Sequence, residues 1–299
     1  MKKWLLVIRA PFLLLAVVLA FLGASIAWYE SREFGNAFNF GYAWLAGLGI
    51  LLAHISVNVL NEYFDYRSGV DFKTQKTPFS GGSGALPTGL VTPNQALWLG
   101  LGSLIVIVPI GIYFTLVQGW ALVPLLIVAA ACIVLYTPFI LKMGWPEWAP
   151  GVGLGSLPIL GAYFVHTGNF AATAIIASIP SGILVHNLLL LNEFPDVEAD
   201  MTANRRTLPI VIGRGKASIV YSVLTAMVYL WIIGGVIAGK MPAFSLLGLL
   251  TLPLAVKAVR GSLQHQDMSK LVPAMANNVF VVLLTQLFMG IGYILAGVF

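Results

Sequence analysis

The chain is short of charge. Asp, Glu, Lys and Arg together make up 9% of its 299 residues, against about 25% in soluble domains. It has one cysteine, four histidines and 11 acidic residues, while 59% of the sequence is hydrophobic and the mean hydropathy is +0.92. That balance excludes an ordinary soluble globular domain. A lone Cys132 excludes an intramolecular disulfide and a metal–thiolate cluster, and it reads as small apolar filler. The net charge of +5 would suggest nucleic acid as a partner of a soluble protein. Here the basic residues read as topology signals, and no nucleic acid is expected.

What is present is apolar sequence in long runs. About 20 apolar residues cross a hydrocarbon core of about 30 Å. Nine such stretches are predicted, at about 5–28, 41–64, 95–117, 120–138, 147–166, 170–193, 216–239, 242–259 and 273–298. The expectation is an all-α integral membrane protein in the lipid bilayer, with one domain over 1–299. The first stretch follows Lys2 and Lys3 and could be mistaken for a signal peptide, but it is longer than the roughly 7–15-residue signal core. Of the 16 Lys and Arg residues, all but Arg32 and Lys240 fall at the N-terminus or in even-numbered loops. Basic loops stay inside. A cytoplasmic N-terminus, nine crossings and an external C-terminus follow, with the plasma membrane as the expected location.

Four of the five aspartates lie in two related strings, NEYFDYRSGVD from Asn61 and NEFPDVEAD from Asn192. A carboxylate in or near the membrane is costly unless compensated. On a helix Asn61 and Asp65 share a face, as do Asn192 and Asp196. Gly69 is expected to end the first helix and let Asp71 fold back; Pro195 is expected to break the second. Each string then offers two carboxylates and one amide oxygen, the hard donor set that suits Mg²⁺ shared with a phosphate group. Lys142, Arg205 and Arg206 come from the same side, so the hollow between the strings suits a diphosphate carried by a lipid-soluble group. The alternative is that these acids are solvated loop residues paired with Arg67 or Arg205.

The regions 54–94 and 186–215 also resemble one another, HISVNVLNEYFD against HNLLLLNEFPD, and duplication and chance both stay open. Repeated broken helices carrying Asp and Asn would equally suit a cation-coupled secondary transporter, although its acids would lie near the midplane. A phospholipid-type transferase would need a D-G-x-x-A-R signature, which is absent. A lipid-binding scaffold would tolerate loss of the aspartates.

The ordered pair Asn61, Asp65, Asp71 and Asp196, Asp200 resembles the UbiA superfamily of intramembrane prenyltransferases. IRAPF at Ile8–Phe12, LYTPFILK at Leu135–Lys142, RRTLPIVIG at Arg205–Gly213 and the flap TPFSGGSGALPTG are similar as well. Within the superfamily the strings look most like the 1,4-dihydroxy-2-naphthoate polyprenyltransferase branch of menaquinone synthesis, with Glu62 where many relatives have Asp and no Gly in 201–204. The resemblance implies a nine-helix bundle around a central cavity capped on the cytoplasmic side. It implies transfer of the prenyl group of an allylic polyprenyl diphosphate to an aromatic acceptor, with C–C bond formation and loss of the naphthoate carboxylate as CO₂. Family members also use benzoate-like or homogentisate-like rings, porphyrins and glycerol phosphate.

The roles implied are Asn61, Asp65 and Asp71 on one Mg²⁺, and Asp196 and Asp200 with Asn192 on a second. Asp65, Asp196 and Lys142 are expected to be catalytic. Lys142, Arg205, Arg206, Tyr136, Asn58, Arg67 and Lys73 are expected to bind substrate. His54 and His186 read as hydrogen-bonded packing residues, and Asn58 and Asn187 as buried amides that need partners. His166 and His265 read as solvated. Glu147, beside Trp145 and Trp148, could orient an acceptor, although an interfacial aromatic belt explains the tryptophans more simply.

Overall fold

The computed structural model describes residues 2–35 and 37–299. It is helical, with no strand among the described residues. Among the described residues eight helices are long and apolar enough to cross a membrane: α1 Ala10–Phe34, α2 Phe40–Ser68, α3 Pro93–Gln118, α5 Trp148–Thr167, α6 Ala172–Asn192, α7 Arg214–Ile237, α8 Ala243–Leu263 and α9 Met268–Val298. Where the sequence predicts a ninth span, α4 Leu122–Leu135 is apolar but has 14 residues. It gives way at Tyr136 to turns and a 3₁₀ segment, Ile140–Lys142. The length criterion therefore counts eight.

Sequential helices pack pairwise, and α9 returns to α1 and closes the bundle. The polar connections are built by local chemistry. Thr92 caps α3 in a reciprocal capping box with Gln95, and Pro93 occupies the first turn, where its missing N–H costs nothing. Asn39 caps α2 by accepting from the Tyr42 N–H. Large apolar side chains such as Trp44, Leu116 and Ile237 point outward, as a lipid-facing surface requires.

The first predicted span shifts by several residues. Lys2–Val7 forms a separate short helix, and the chain turns at Arg9, whose φ of 52° is left-handed. Pro11 then enters the first turn of α1. At the far end α1 runs on to Phe34 because its polar turn has tertiary partners: Glu30 accepts from Tyr163 of α5 and from Thr173 of α6.

α5 contains a π-helical stretch, Gly151–Ser156, of the kind that inserts an extra residue per turn. Gly151 and Gly155 lie on one side of it against α6. A Cβ at Gly155 would come within 2.8 Å of Gly182 Cα and Ser181 O. Small residues let membrane helices approach to backbone contact. Beyond this seam Asn187 of α6 donates to the Tyr221 carbonyl and the Thr225 hydroxyl of α7, and Tyr221 donates to Asn278 of α9. The amide at Asn187 is thus a three-helix fastener, as a buried amide needs to be.

Gly155→Ala should lower stability by about 1–3 kcal/mol through overpacking. Gly102→Ala, whose Cβ would meet nothing within 4 Å, should be neutral or slightly stabilising. Thermal unfolding of the two variants in detergent checks the contrast.

Candidate active site

Both acidic strings lie at one end of the bundle, and the route to it starts with chain termination. α2 ends at Gly69, φ 78°, and a 3₁₀ turn Val70–Phe72 carries Asp71 back toward the helix. Asp65 and Asp71 are both buried. α6 ends at Asn192, turns follow over 193–196, and a short helix Val197–Thr202 brings Asp200 inward. These are the breaks expected at Gly69 and Pro195.

Arg205 joins the two strings. Its guanidinium pairs with Asp65 of the first and lies 2.8 Å from Asp200 of the second. Burial opposes its charge, but Asp65 and Asp200 outweigh that and raise its pKa further. The backbone helps to hold the arrangement: Arg205 N–H donates to the Asp200 carbonyl, and Asn204 takes the left-handed φ of 55° that turns the chain.

The flap after the first string closes over it. Glu62, fully buried, accepts from the Ser83 N–H at 2.7 Å and the Ser83 hydroxyl at 2.6 Å, and its Oε1 also takes Nε and Nη2 of Arg9 at 2.7 and 2.6 Å. Gly82, φ 71°, lies so close that a Cβ would come within 2.7 Å of Asp71 Oδ1. The Ser80 hydroxyl reaches Asp196 Oδ1 at 3.4 Å. The flap therefore begins on the first string and touches the second.

The second loop is pinned in a parallel way. Glu147, fully buried, accepts from the Leu208 N–H at 2.7 Å, and the Arg206 N–H donates to the Leu141 carbonyl at 2.7 Å. Glu147 is thus a loop anchor and does not line the cavity below. Trp145 and Trp148 are exposed, in keeping with an interfacial position.

Under this cap lies a cavity of about 130 Å³. Arg9, Asn58, Asn61, Tyr136 and Asn192 bring polar atoms to a wall otherwise made of Pro11, Leu15, Val57, Leu188 and similar residues. Asn61 donates to the Thr137 hydroxyl and Asn58 to the Ile8 carbonyl. The oxygen donors are left with unmet demand: Asp71 Oδ2 and Asn192 Oδ1 are buried without a hydrogen-bond partner. Burial, with Asp65 and Glu62 nearby, pushes Asp71 up to about 7. Burial and the neighbouring Asp200 push Asp196 up to about 7. Asp200 rises to about 6 through burial, with Arg205 opposing. Among the described residues no three His, Cys, Asp or Glu side chains form a ready metal cluster; Arg205 holds one carboxylate of each string, Asp65 and Asp200.

The other basic residues expected on substrate stand apart. Lys142, Arg206, Arg67 and Lys73 are exposed and do not line the cavity. Arg9 is the cavity's cation, and no charge motif marks it in the sequence; the clue is a lone basic residue ahead of Pro11 in an apolar run. Glu62, Ser80 and Ser83 were likewise hidden, since their roles arise from contacts 20 or more residues away in the chain.

The histidines divide. His186 accepts from the Trp145 indole N–H at 2.9 Å and lies 3.2 Å from the Asn187 side-chain oxygen, which fits a packing role. His54 is buried and lines the cavity. His166 is not solvated as expected: it stacks on Phe38 with ring centroids 4.2 Å apart, and both its nitrogens are buried. His265 likewise has a buried Nδ1 and packs edge-on to Phe194.

Comparison with known proteins identifies the family. Residues 13–284 match the UbiA prenyltransferase family. The 1,4-dihydroxy-2-naphthoate octaprenyltransferase of Bacillus subtilis (strain 168) is 30% identical over 228 residues, covering 75% of this chain and 72% of that protein. The apo structure of a UbiA homologue from Aeropyrum pernix K1 superposes with a TM-score of 0.71 at 16% identity, covering 95% of this chain and 98% of the other. A UbiA homologue from Archaeoglobus fulgidus bound to GPP and Mg²⁺ gives 0.57 at 15% identity, covering 98% and 99%. The chain belongs to the UbiA prenyltransferase family and is a multi-pass membrane enzyme that transfers prenyl groups.

Proposed function

We propose that this enzyme transfers a polyprenyl group from an allylic polyprenyl diphosphate to 1,4-dihydroxy-2-naphthoate. The carrying observation is the Arg205 bridge from Asp65 to Asp200, which joins the two acidic strings whose Asn61 and Asn192 line the cavity. The acceptor is supported by the naphthoate relative, and Mg²⁺ by the fold neighbour that carries it with GPP.

The residues fit the metal. Asp71 Oδ2 and Asn192 Oδ1 are buried oxygens with no donor, and hard oxygen ligands are what Mg²⁺ prefers. Asn61, Asp65 and Asp71 would hold one ion, and Asn192, Asp196 and Asp200 a second. When bound, Mg²⁺ supplies positive charge against the departing diphosphate. Arg205, between the strings, and Arg9, in the cavity wall, are the partly buried guanidiniums offered to its oxygens, and Tyr136 lines the cavity with Arg9. The exposed Lys142, Arg206, Arg67 and Lys73 form a basic rim that attracts a polyanionic donor. Asn58, tied to the Ile8 carbonyl, holds the N-terminal turn that carries Arg9.

In the reaction the allylic C–O bond breaks with its electron pair leaving on the diphosphate. An acceptor ring carbon supplies the pair for the new C–C bond, and the ring carboxylate departs as CO₂, its bonding pair restoring the aromatic ring. Glu62 and Glu147 keep the two loops closed, which excludes water from the allylic cation.

We further assign α4 as a ninth crossing. Its helical rise is about 21 Å, and the turns over 136–142 lengthen it toward the motif end. Nine crossings put that end, with regions 54–94 and 186–215 as pseudo-equivalent halves, on the cytoplasmic side of the plasma membrane.

Product formation by purified protein in lipid, with geranylgeranyl diphosphate and dihydroxynaphthoate, tests the reading. EDTA should abolish turnover. Asp65→Ala and Asp196→Ala should each lower it by about a thousandfold or more while the protein stays folded; an active Asp65→Ala variant would sink the metal assignment.

Arg205→Met should leave Asp65 and Asp200 uncompensated and cost about 3–5 kcal/mol. Mg²⁺ should restore more thermal stability to this variant than to the wild type. Equal metal-induced shifts in Tm would show that the carboxylates do not take up the ion.

Glu62→Gln should loosen the flap at Ser83 and at Arg9. Limited proteolysis is expected to cut within 74–91 several times faster than in the wild type, with turnover reduced.

A further inference from the structure

α2 presents three polar side chains to the cavity beneath the acidic strings, His54, Asn58 and Asn61, at the spacing that puts residues on one helix face. His54 lies two turns before Asn61, about 10 Å deeper along the helix. Its companions are engaged, Asn58 with the Ile8 carbonyl and Asn61 with the Thr137 hydroxyl. His54 is 4% exposed and makes no hydrogen bond among the described residues. It also borders an apolar crevice of about 540 Å³ between α2, α3, α4 and α5, whose outer residues, such as Ile112 and Leu116, are exposed. Buried polar groups are ordinarily paired, so an uncommitted imidazole in a cavity wall points to a ligand.

The chemistry of the wall says which kind. Arg9 brings a fixed positive charge already paired with Glu62, and the amides of Asn58, Asn61 and Asn192 are not bases. Tyr136 and Cys132 bring an O–H and an S–H. Among the residues lining this cavity, His54 is the one whose neutral side chain offers a nitrogen lone pair to a proton. The carboxylates of the strings do not line it, and Asp65 and Asp200 are held by Arg205. Around His54 the wall is apolar, with Leu15, Val57 and Leu188, the surroundings in which an aromatic ring is held by a few placed polar groups.

We infer that His54 is a catalytic residue of the transfer, binding the acceptor's hydroxyl beside the carboxylate-bearing carbon and taking its proton as the new bond forms. The inference rests on the dihydroxynaphthoate reading and adds to it the base. With the diphosphate at the strings, the two turns between Asn61 and His54 leave a bicyclic ring between the leaving group and the imidazole. The ring carbon that bears the carboxylate gives its electron pair to the allylic carbon, the O–H bond breaks toward His54, and the ring oxygen becomes a ketone. The carboxylate then leaves as CO₂. Its bonding pair restores the aromatic ring, the ketone becomes an oxyanion, and that oxyanion takes the proton back from His54. No net proton is gained or lost, and no further reactant is needed.

The test uses two variants that remove the base in different ways, His54→Gln, which keeps a hydrogen-bonding group, and His54→Leu, which keeps only bulk. Purified protein in lipid is given geranylgeranyl diphosphate, Mg²⁺ and dihydroxynaphthoate. In both variants kcat should fall about a hundredfold or more, the size of a general base. KM for geranylgeranyl diphosphate should stay within about threefold, and the rise in Tm that Mg²⁺ and this donor produce without acceptor should match the wild type. Near wild-type turnover in His54→Gln, with loss in His54→Leu, would make His54 an orienting hydrogen-bond partner and overturn proton transfer. Near wild-type turnover in both variants overturns the inference outright. A loss that comes with a lower Tm in both, or with a raised donor KM, makes His54 a packing or donor-tail residue and overturns it too. If the wild type itself forms no product with dihydroxynaphthoate while the donor and Mg²⁺ still raise its Tm, the acceptor reading falls and the role of His54 falls with it.

Discussion

One guanidinium between two carboxylates organises this end of the molecule. Asp65 and Asp200 come from strings more than 130 residues apart, and an unpaired buried carboxylate costs several kcal/mol. Arg205 removes that cost for both at once. It does so incompletely. The carboxyls of Glu62, Asp65, Asp71, Asp196 and Asp200 outnumber the guanidiniums of Arg9 and Arg205, and the pKa values of Asp71 and Asp196 rise to about 7. A site built with excess negative charge and oxygen atoms lacking donors is stable only when protons or cations make up the difference. That deficit is the physical reason why a cation and a diphosphate belong together here: each alone would leave the site unbalanced.

The loops follow from the same economy of charge. Each string is succeeded by a loop, without helix over 74–91 on the first side and leading into the short helix Leu208–Ile212 on the second, and each loop is caught by a buried glutamate through a backbone N–H. Glu62 takes Ser83 on the first side, and Glu147 takes Leu208 on the second. A carboxylate accepting a backbone donor fixes the main chain and not only a side chain. Gly82 of the flap then lies against Asp71 with no space for a Cβ, so the cap is set there by the backbone. The pinning is not an exact repeat. Glu62 belongs to the first string itself, while the corresponding Glu193 lacks a hydrogen-bond partner and the anchoring role has passed to Glu147 on α5.

Much of this was legible in the sequence, because the signals were local. Apolar runs, the helix stop at Gly69, the break near Pro195 and the paired aspartates depend on residues within a few positions of one another. What could not be read depends on distance in the chain. Arg9 is an ordinary topology-setting cation until a left-handed turn aims it at Glu62. Lys142 and Arg206 carry the right charge, but their side chains are exposed, and the backbone N–H of Arg206 is what binds, to the Leu141 carbonyl. Charge sign predicts a side of the membrane; it does not predict a direction for the side chain. The first span slipped for a related reason. Hydropathy sees Glu30 as an end, whereas Tyr163 and Thr173 make it an interior partner.

The two halves, alike in their strings, differ in how their helices pack. On the α6 side, Gly151 and Gly155 bring α5 to backbone contact at Gly182, His186 is bonded to Trp145, and Asn187 fastens α6 to α7. That seam is closed by backbone contact. On the α2 side, His54 borders open space, and the crevice beside it reaches the surface. The π-helical stretch serves both sides of α5 at once, its Gly151 and Gly155 turned to α6 and its Gly153 to α4. A strictly symmetric bundle would close both sides or open both; here the strings are alike and the packing around them is not.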